Sequence, residues 1–245
     1  MKKILVLGGY SGIAQAVLEI LAKEDTTLYL VGRSQEKLNI VQEHLQSIGN
    51  STIFTKSLDL NNLETHKRLL EESIQQMKGL DILFVCYGIL PDQKELEQNP
   101  PNVVENYYTN AISTIHFVSL ATNYFEEKNN GTIAVVTSVA GDRGRKSNYF
   151  YGSAKSCLDT FLEGLRHRLF KTNVKVITIK PGVVDTPMTQ NIQKKSLVAK
   201  PEKVAREIVD AINNNKEVVY TPWYWRYIMA IIKILPRSVF YRLEF

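Results

Sequence analysis

A tyrosine and a lysine four residues apart, Tyr151 and Lys155, have the types and the spacing of a proton-transfer pair. On a helix, side chains four residues apart lie on the same face. A free phenol has a pKa near ~10, and a neighbouring ammonium group lowers that pKa because it favours the phenolate. We therefore expect Tyr151 to donate a proton to a substrate oxygen, which the hydroxyl of Ser138 orients and polarises. Tyr149 is a competing proton donor, but no lysine follows it by four residues.

A glycine-rich turn near the start of the chain could hold a phosphate. It reads Gly8-Gly9-Tyr10-Ser11-Gly12-Ile13-Ala14 and lies between a predicted strand and a predicted helix. Glycine allows close backbone approach, and the start of a helix presents unpaired N–H groups to an anion. Ala14 stands where a third glycine is common, but that position needs only a side chain small enough for the helix to pack on the strand. The turn predicts a pyrophosphate site for a dinucleotide, with contacts from Gly8, Tyr10, Ser11, Gly12 and Ile13.

Apolar runs and amphipathic helical patterns must position these residues, and they alternate along the whole chain. The predicted strands are residues 2–7, 27–31, 52–57, 80–86, 131–138, 174–179 and 217–221. The predicted helices are residues 12–23, 35–48, 63–77, 103–127, 151–170 and 203–213. This order is typical of the α/β class, as a single-domain doubly wound (Rossmann) parallel sheet with helices on both faces. We expect one domain over residues 1–245, with residues 222–245 as an apolar and basic tail.

Composition argues against several classes of protein. The chain has 245 residues, of which 44% are hydrophobic and 22% charged, as is ordinary for a folded globular domain. The first apolar run, residues 4–7, is too short for a secretory signal, so we expect a cytoplasmic protein. Cys86 and Cys157 lie far apart in apolar surroundings, which predicts buried free thiols and no metal site. A net charge of +5 without one long basic run does not indicate nucleic-acid binding.

The motifs occur together in an order that resembles the short-chain dehydrogenase/reductase family. The matching positions are Gly8-x-x-x-Gly12-Ile13-Ala14, Asn110, Ser138, Tyr151-x-x-x-Lys155 and the run from Pro181 to Thr186. The likeness extends from Lys3 to about Tyr220, and Ser138 precedes Tyr151 by thirteen residues, as in the family. One stretch departs from the family pattern: Cys86-Tyr87-Gly88-Ile89 replaces Asn-Asn-Ala-Gly, and Gly88 alone is kept there.

The resemblance implies a nicotinamide-dependent oxidoreductase and a role for each matching residue. Tyr151 would protonate a carbonyl oxygen as hydride reaches its carbon. Lys155 would also hold the nicotinamide ribose, and Asn110 would position a water that links Lys155 to solvent. Asp59 and Leu60 resemble the adenine contact. The loop after the sixth strand would contact the nicotinamide carboxamide through Pro181, Gly182, Val183 and Thr186.

The end of the second predicted strand distinguishes NAD from NADP. A carboxylate there hydrogen-bonds the 2′-hydroxyl of the adenosine ribose, whereas an arginine accommodates a 2′-phosphate. The chain reads Val31-Gly32-Arg33-Ser34 and has no carboxylate at this turn. Arg33 and Ser34 therefore predict NADPH as the cofactor, and NADPH predicts reduction as the physiological direction.

Two segments near the expected site bear on the substrate. Arg143, Arg145 and Lys146 lie between the expected catalytic serine and tyrosine. They predict a cationic mouth for an anionic substrate or, alternatively, a solvated loop. The resemblance implies a mobile lid over the substrate at residues 188–199.

The tail has thirteen residues between its two prolines, fewer than the ~17–25 that a membrane span needs. Its aromatic and aliphatic residues are interspersed with Arg226, Lys233, Arg237 and Arg242, against Glu244 as its acid. This pattern favours a helix that lies in the surface of an anionic bilayer. The alternative is an oligomer contact or a wall of the substrate pocket.

These features together predict an NADPH-dependent carbonyl reductase acting on a small-molecule or lipid-linked ketone. If the tail binds lipid, the enzyme works at the inner membrane face. The tail and the glycine turn resemble the bacterial reductases of polyprenyl-phosphate-linked keto-sugars. The alternatives are a 3-ketoacyl thioester reductase with the same catalytic residues and a non-catalytic NADPH-sensing scaffold protein. The family resemblance also implies a homodimer or homotetramer, packed through the helices that contain Val103 and Tyr151.

Overall fold

Parallel strands form the centre of the protein. The computed structural model describes residues 1–190 and 197–243. The strands are β1 (Lys2–Leu7), β2 (Thr26–Gly32), β3 (Thr52–Ser57), β4 (Ile82–Val85), β5 (Gly131–Val136), β6 (Val174–Pro181) and β7 (Val218–Thr221). Within the described residues these seven strands form one sheet, ordered β3-β2-β1-β4-β5-β6-β7, and every neighbouring pair is parallel. The predicted doubly wound parallel sheet is confirmed.

Helices connect the strands and cover both faces of the sheet. They are α1 (Gly12–Leu21), α2 (Gln35–Ile48), α3 (His66–Met77), α4 (Gln93–Gln98), α5 (Pro100–Tyr107), α6 (Ser113–Lys128), α7 (Tyr149–Arg168), α8 (Pro201–Asn213), α9 (Trp225–Ile234) and α10 (Arg237–Phe240). Short 3-10 turns lie at Leu63–Thr65, Val139–Gly141 and Pro187–Thr189.

Successive side chains of a strand point to opposite faces, and each face packs on its own set of helices. On β1, Ile4 and Val6 belong to a core with α1, α2 and α8. Leu5 and Leu7 belong to a second core with α3, α6 and α7. All four side chains are buried. Because both faces of the sheet are covered, the strands are continuous apolar runs in the sequence.

The predicted helix over residues 103–127 lies within a continuous helical stretch, residues 100–128, that contains a π-helical turn. The structure has α5, then a π-helical turn at Tyr108–Ile112, then α6. Proline is tolerated in the first turn of a helix because its missing N–H needs no partner there, so α5 begins at Pro100. The short helix α4 before it was not expected from the sequence. π-helical turns occur frequently at functional sites, and this one contains Asn110.

The predicted burial of Cys157 is also wrong. Cys86 is buried, whereas Cys157 is exposed. On α7 the side chains that pack on the sheet include Leu158 and Leu162, and Cys157 projects from the other side of the helix. Apolar neighbours in sequence therefore did not identify the buried face of α7.

A topological switch point lies between β1 and β4. β1 pairs with β2 on one side and with β4 on the other. The chain leaves β1 towards β2 and leaves β4 towards β5, so the two connections diverge at the carboxyl ends. Ligands of open parallel sheets bind in the crevice at such a point. The glycine turn and the loop that contains Gly88 both lie there.

The tail packs onto the protein at the same end of the sheet. Trp225, Met229 and Ile232 of α9 form an apolar cluster with Val139 and Phe240. Because Val139 follows β5 directly, the tail forms a wall beside the carboxyl ends of the central strands. Among the described residues, no helix has the length and apolar character needed to cross a membrane. Of the predicted lid over residues 188–199, residues 191–196 lie outside the described residues.

Candidate active site

The glycine turn lies tightly between two other segments. Gly8 has a φ of 88°, in the left-handed region that favours glycine. A Cβ atom there would lie 2.5 Å from the carbonyl oxygen of Cys86, after β4. A Cβ atom on Gly12 would lie 2.8 Å from Cγ2 of Thr186, in the loop after β6. The turn therefore occupies the crevice of the switch point, where the fold places the pyrophosphate of a dinucleotide.

Hydrogen bonds of Ser11 fix the first turn of α1. Ser11 is the N-cap, and its Oγ accepts a hydrogen bond from the N–H of Ala14 at 3.3 Å. Ser11 also donates to Sγ of Cys86 at 3.2 Å. Ala14 is fully buried and Ile13 packs at the edge of the same core. Alanine at this position serves the packing of helix on sheet, as the sequence predicts.

Asn110 holds the loop that follows β4. Its Oδ1 accepts from the N–H of Ile89 at 3.1 Å, and its Nδ2 donates to the Ile89 carbonyl at 2.9 Å. Nδ2 also donates to Oδ1 of Asn106 at 2.9 Å, and Asn106 donates to the carbonyl of Phe150 at 3.0 Å. Both asparagines are fully buried. Asn106 was missed in the sequence, although its spacing of four from Asn110 places the two on one helix face.

Gly88 lies between Asn110 and Lys155, the lysine of the expected proton-transfer pair. A Cβ atom on Gly88 would lie 2.6 Å from Oδ1 of Asn110 and 3.3 Å from Nζ of Lys155. Lys155 is 3% exposed, and its Nζ lies 5.8 Å from the centroid of the Tyr151 ring. The structure thus brings together residues that the sequence separates by more than sixty positions.

Ser138 follows β5 and begins the turn Val139–Gly141, which we call the serine turn. Its Oγ accepts from the N–H of Ala140 at 3.1 Å, and its hydroxyl lies close enough to the Tyr151 phenol to act on the pKa of that group. A Cβ atom on Gly152 would lie 2.7 Å from the carbonyl oxygen of Ala140. The serine turn and α7 are therefore in direct contact, and this contact places Ser138 beside Tyr151.

Burial dominates the proton affinities of Tyr151 and Lys155. It raises the pKa of Tyr151 to about 12, while the hydrogen bond with Ser138 acts in the opposite direction. Burial lowers the pKa of Lys155 to about 8, and the negative charge of Asp159 opposes this change. The prediction that Lys155 lowers the pKa of Tyr151 is wrong for the protein alone, because desolvation of the phenol is the larger effect. Tyr151 keeps its proton at neutral pH.

A buried group of charges joins the serine turn to α7. Nζ of Lys180, on β6, lies 2.6 Å from Oδ1 of Asp142 and 2.9 Å from Oδ2 of Asp159. Tyr220 of β7 donates to Oδ2 of Asp142 at 2.7 Å. Asp142 directly follows the serine turn, and Asp159 lies one helical turn beyond Lys155. This Lys180 cluster was missed in the sequence, where Asp159 at four residues after Lys155 was the available signal.

Two cations lie near the turn that follows β2. Arg33 is exposed, and its backbone N–H donates to the hydroxyl of Tyr10 at 3.2 Å. Ser34 caps α2 by accepting from the N–H of Lys37 at 3.3 Å. Nζ of Lys37 lies 5.7 Å from the centroid of the Tyr10 ring. The glycine turn and the end of β2 thus meet through Tyr10, and this meeting point is basic.

Asp59 and Leu60, the expected adenine contacts, lie in the loop after β3. Asp59 is exposed, and its Oδ1 accepts from the N–H of Asn61 at 3.0 Å. Leu60 is buried, and its carbonyl is hydrogen-bonded to Nε2 of His66 at 2.7 Å. Asn61 donates to Thr109 at 2.8 Å. This last bond ties the loop to the π-helical turn that contains Asn110.

The expected nicotinamide contacts lie in the loop that begins at Pro181, the last residue of β6. The N–H of Gly182 donates to the carbonyl of Thr221 at 3.0 Å, and the carbonyl of Val183 accepts from Ala199 at 2.9 Å. Thr186 is the N-cap of the turn Pro187–Thr189 and contacts the glycine turn at Gly12. The loop therefore reaches from the sheet to the pyrophosphate turn.

Trp225 of the tail is a further wall of this site, and it was not assigned from the sequence. A Cβ atom on Gly182 would lie 1.8 Å from its Nε1 and 2.1 Å from Cε2, so the indole packs directly on the glycine. Nε1 is buried and has no hydrogen-bond partner among the described residues. Trp225 also packs against Val139 in the serine turn. It thus borders the space between the serine turn and the nicotinamide loop.

The predicted cationic mouth is wrong for Arg143. Its Nη1 donates to the carbonyl oxygens of Ile232 and Leu235, the latter at 2.9 Å. Its guanidinium carbon lies 3.8 Å from the centroid of the Phe240 ring. Arg143 therefore caps the carboxyl end of α9. Its guanidinium binds the tail and not a substrate. Arg145 is half-buried and Lys146 is exposed.

Comparison with known proteins decides the family. The sequence model described as short chain dehydrogenase matches residues 2–197. This match covers most of the chain and includes every expected catalytic residue. The chain is a short-chain dehydrogenase. As such it is an oxidoreductase that uses a nicotinamide cofactor, and a glycine turn at the capped start of α1 is the type of backbone that holds the pyrophosphate of such a cofactor.

Relatives of this short-chain dehydrogenase are similar over nearly their whole length. An uncharacterized oxidoreductase of Mycobacterium tuberculosis is 30% identical over 240 residues, which cover 98% of this chain and 96% of the relative. An uncharacterized oxidoreductase of Streptomyces coelicolor is 30% identical over 243 residues, which cover 99% and 96%. The narrower resemblance to keto-sugar reductases stays a prediction.

Solved structures share the fold of this dehydrogenase. A crystal structure of levodione reductase aligns with a TM-score of 0.81 at 19% identity, over 91% of this chain and 96% of that chain. A short chain dehydrogenase/reductase family protein aligns with a TM-score of 0.78 at 21% identity, over 89% and 94%. At these identities the likeness concerns the fold alone.

Proposed function

We propose that this dehydrogenase is an NADPH-dependent carbonyl reductase. The observation that carries the proposal is the grouping of Ser138, Tyr151, Lys155 and Asn110 at the carboxyl ends of the central strands. When bound in the adjoining crevice, the reduced cofactor supplies a hydride to the carbonyl carbon. The remaining chemistry is proton transfer and charge stabilisation at the carbonyl oxygen, and side chains of this protein can supply both.

Tyr151 is the proton donor in this proposal. Its raised pKa of about 12 keeps the phenol protonated at neutral pH. As negative charge develops on the carbonyl oxygen, the phenolic proton moves to that oxygen. The Ser138 hydroxyl donates a hydrogen bond to the same oxygen, and Lys155 favours the phenolate that remains on Tyr151. Asn110 keeps the loop after β4 in place and so maintains the space occupied by Nζ of Lys155.

The choice of NADPH over NADH rests on charge at the end of β2. A 2′-phosphate adds negative charge to the adenosine ribose, and NAD-binding sites of this architecture place a carboxylate at that ribose. The turn Val31–Ser34 has no carboxylate and carries the exposed guanidinium of Arg33. Lys37 adds a second cation beside Tyr10. Both cations favour the phosphorylated cofactor.

The test is oxidation of NADPH in the presence of a panel of ketones, with Tyr151→Phe as the variant. Loss of a general acid typically lowers the rate by about 10²–10⁴-fold, and we expect a loss of that order. Tyr149→Phe is the matched control, because Tyr149 lies two residues upstream and is 40% exposed. Undiminished turnover by Tyr151→Phe would show that another group donates the proton.

The same panel separates the substrate classes. It contains acetoacetyl thioesters, polyprenyl-phosphate keto-sugars and simple ketones. The apolar and basic tail beside the site favours a lipid-linked ketone, whereas faster turnover of acetoacetyl thioesters would make the protein a 3-ketoacyl thioester reductase. Tight NADPH binding without turnover of any ketone would favour a non-catalytic sensor or scaffold.

A further inference from the structure

The tail exposes a stripe of large apolar and aromatic side chains. Trp223 is 62% exposed, Tyr227 63%, Ile231 64% and Ile234 82%. The last three are spaced by four and three residues along α9, so they lie on one helix face. Trp223 precedes the helix, and its ring contacts the Tyr227 ring edge-on at 5.9 Å between centroids. We call these four residues the tail stripe.

The tail stripe is not the face of α9 that packs on the core of the protein. The opposite face of α9 is already buried through Trp225, Met229 and Ile232. The carboxyl end of the helix is already capped by Arg143, which donates to carbonyl oxygens there. The tail is thus fully docked on the protein while its outer face stays apolar. Contiguous exposed apolar surface of this kind marks an interaction site.

The charged residues within the segment 218–243, which contains the tail stripe, are all cations. Residues 218–243 contain no aspartate or glutamate, and Arg226, Lys233, Arg237 and Arg242 are exposed. None of these four cations forms an ion pair within the described part of the chain. An apolar stripe on a segment whose charged side chains are all cations is complementary to a surface that is apolar inside and anionic outside.

A cationic cavity adjoins the tail stripe. It has a volume of about 490 Å³ and lies between the start of α8 and the first residues of the tail, Pro222 and Tyr224. Its wall includes Lys200, Lys203 and Arg206 against the single carboxylate of Glu202. A phosphate group of a lipid at the tail stripe would find three further cations there.

We propose that the tail stripe binds the surface of an anionic phospholipid bilayer. Tyrosine and tryptophan concentrate at the boundary between acyl chains and headgroups, and arginine and lysine near a membrane bind anionic lipids. The ten residues of α9 extend about 15 Å at 1.5 Å per residue, so the helix lies along the surface. A second copy of the chain is a poor occupant, because a two-fold contact would bring the same cations face to face.

This proposal concerns adhesion and does not depend on the reaction. Combined with the proposed function, it names the substrate class as a ketone held at a bilayer. The connection is Trp225, whose ring lies on the buried face of the same helix and packs against Gly182 and Val139. A substrate anchored at the tail stripe would therefore need to extend only across the thickness of α9.

The test is sedimentation of the full-length protein with vesicles of phosphatidylcholine alone or of phosphatidylcholine with phosphatidylglycerol. We expect capture by the anionic vesicles, weak capture by the neutral ones and release by salt. Each cation near an anionic surface strengthens binding about fivefold, so the triple variant Arg226→Gln, Lys233→Gln, Arg237→Gln should bind about 100-fold more weakly. The stripe variant Tyr227→Ser, Ile231→Ser, Ile234→Ser should lose capture while its NADPH-dependent turnover of a soluble ketone and its melting temperature stay unchanged.

The matched control is Ile40→Ser, Val104→Ser, which removes two apolar side chains of similar exposure, 60% and 67%, away from the tail. It should bind vesicles as the wild type does. The proposal is overturned if the wild type does not sediment with anionic vesicles, or if the stripe variant binds them as strongly as the wild type does. It is also overturned if the wild type ignores vesicles and the stripe variant has a lower molar mass in solution, since the stripe is then an interface between copies. Vesicle capture is measured without an enzyme assay. A failure of the reductase assay would therefore not change the outcome of this test.

Discussion

Replacing Lys155 with methionine should stabilise the protein at neutral pH while abolishing its activity. Lys155 is almost fully buried, and burial lowers its pKa from 10.5 to about 8. At 1.36 kcal/mol per pKa unit, the buried ammonium lowers the free energy of unfolding by about 3 kcal/mol at pH 7. Methionine has a similar length and no charge, so Lys155→Met should raise the free energy of unfolding by about that amount.

The pH dependence gives the effect a signature. Below about pH 8 the lysine is protonated in both the folded and the unfolded protein, so the full penalty is present. Between about pH 8 and 10.5 the folded protein loses the proton first, and the wild type gains stability relative to the variant. The stability difference should therefore shrink by about 2 kcal/mol between pH 7 and about pH 9.5.

Urea unfolding of both proteins at the two pH values measures this difference. Lys175→Met is the control, because Lys175 is exposed on β6 and its replacement should give a small difference that does not change with pH. The reasoning would be refuted by a Lys155→Met protein that is less stable than the wild type at pH 7. A stability difference equal at both pH values would refute it as well.

The remaining predictions concern the cofactor, the Lys180 cluster and the assembly. Arg33→Ala should weaken NADPH binding by about 1.5–3 kcal/mol and NADH binding far less; equal losses in calorimetry would show that Arg33 does not contact the 2′-phosphate. Lys180→Met should destabilise the protein by about 3–5 kcal/mol in urea unfolding, because Asp142 and Asp159 then lack their buried partner. A loss below about 1 kcal/mol would contradict this expectation. Light scattering should find a homodimer or homotetramer, and a particle of 27.9 kDa would contradict that expectation.

The sheet and the proximity of Tyr151 to Lys155 were predictable because their signals are local. The glycine turn joins an apolar run to a helix. Ala14 within it is small because the helix packs on the sheet at this position. Tyr151 and Lys155 are placed together by helix geometry alone. Their proton affinities were not predictable in this way, since the burial that sets them depends on strands and loops far away in sequence.

Long-range contacts account for what was missed. Lys180, on β6, reaches Asp142 of the loop after the serine turn, 38 positions away, and a lysine before a proline gives no sign of this. Arg143 was expected at the substrate mouth, but its acceptors are backbone carbonyls some 90 positions further on. Because every residue has a backbone carbonyl, the sequence does not indicate which ones accept a hydrogen bond. The contact of Trp225 was missed for a similar reason. Its partner is Gly182, and a glycine, which has no side chain, does not indicate in the sequence that an indole packs on it.

Arg143 makes the tail and the serine turn parts of one unit. Its backbone lies five residues after Ser138, while its guanidinium bonds the last carbonyls of α9. A ligand that moves the tail therefore changes the free energy of the serine turn. Thermodynamic linkage is reciprocal, so a ligand held by Ser138 changes the affinity of the tail for whatever it touches by the same factor. The affinity of the tail for its ligand would then differ between the protein with an empty active site and the protein with an occupied one.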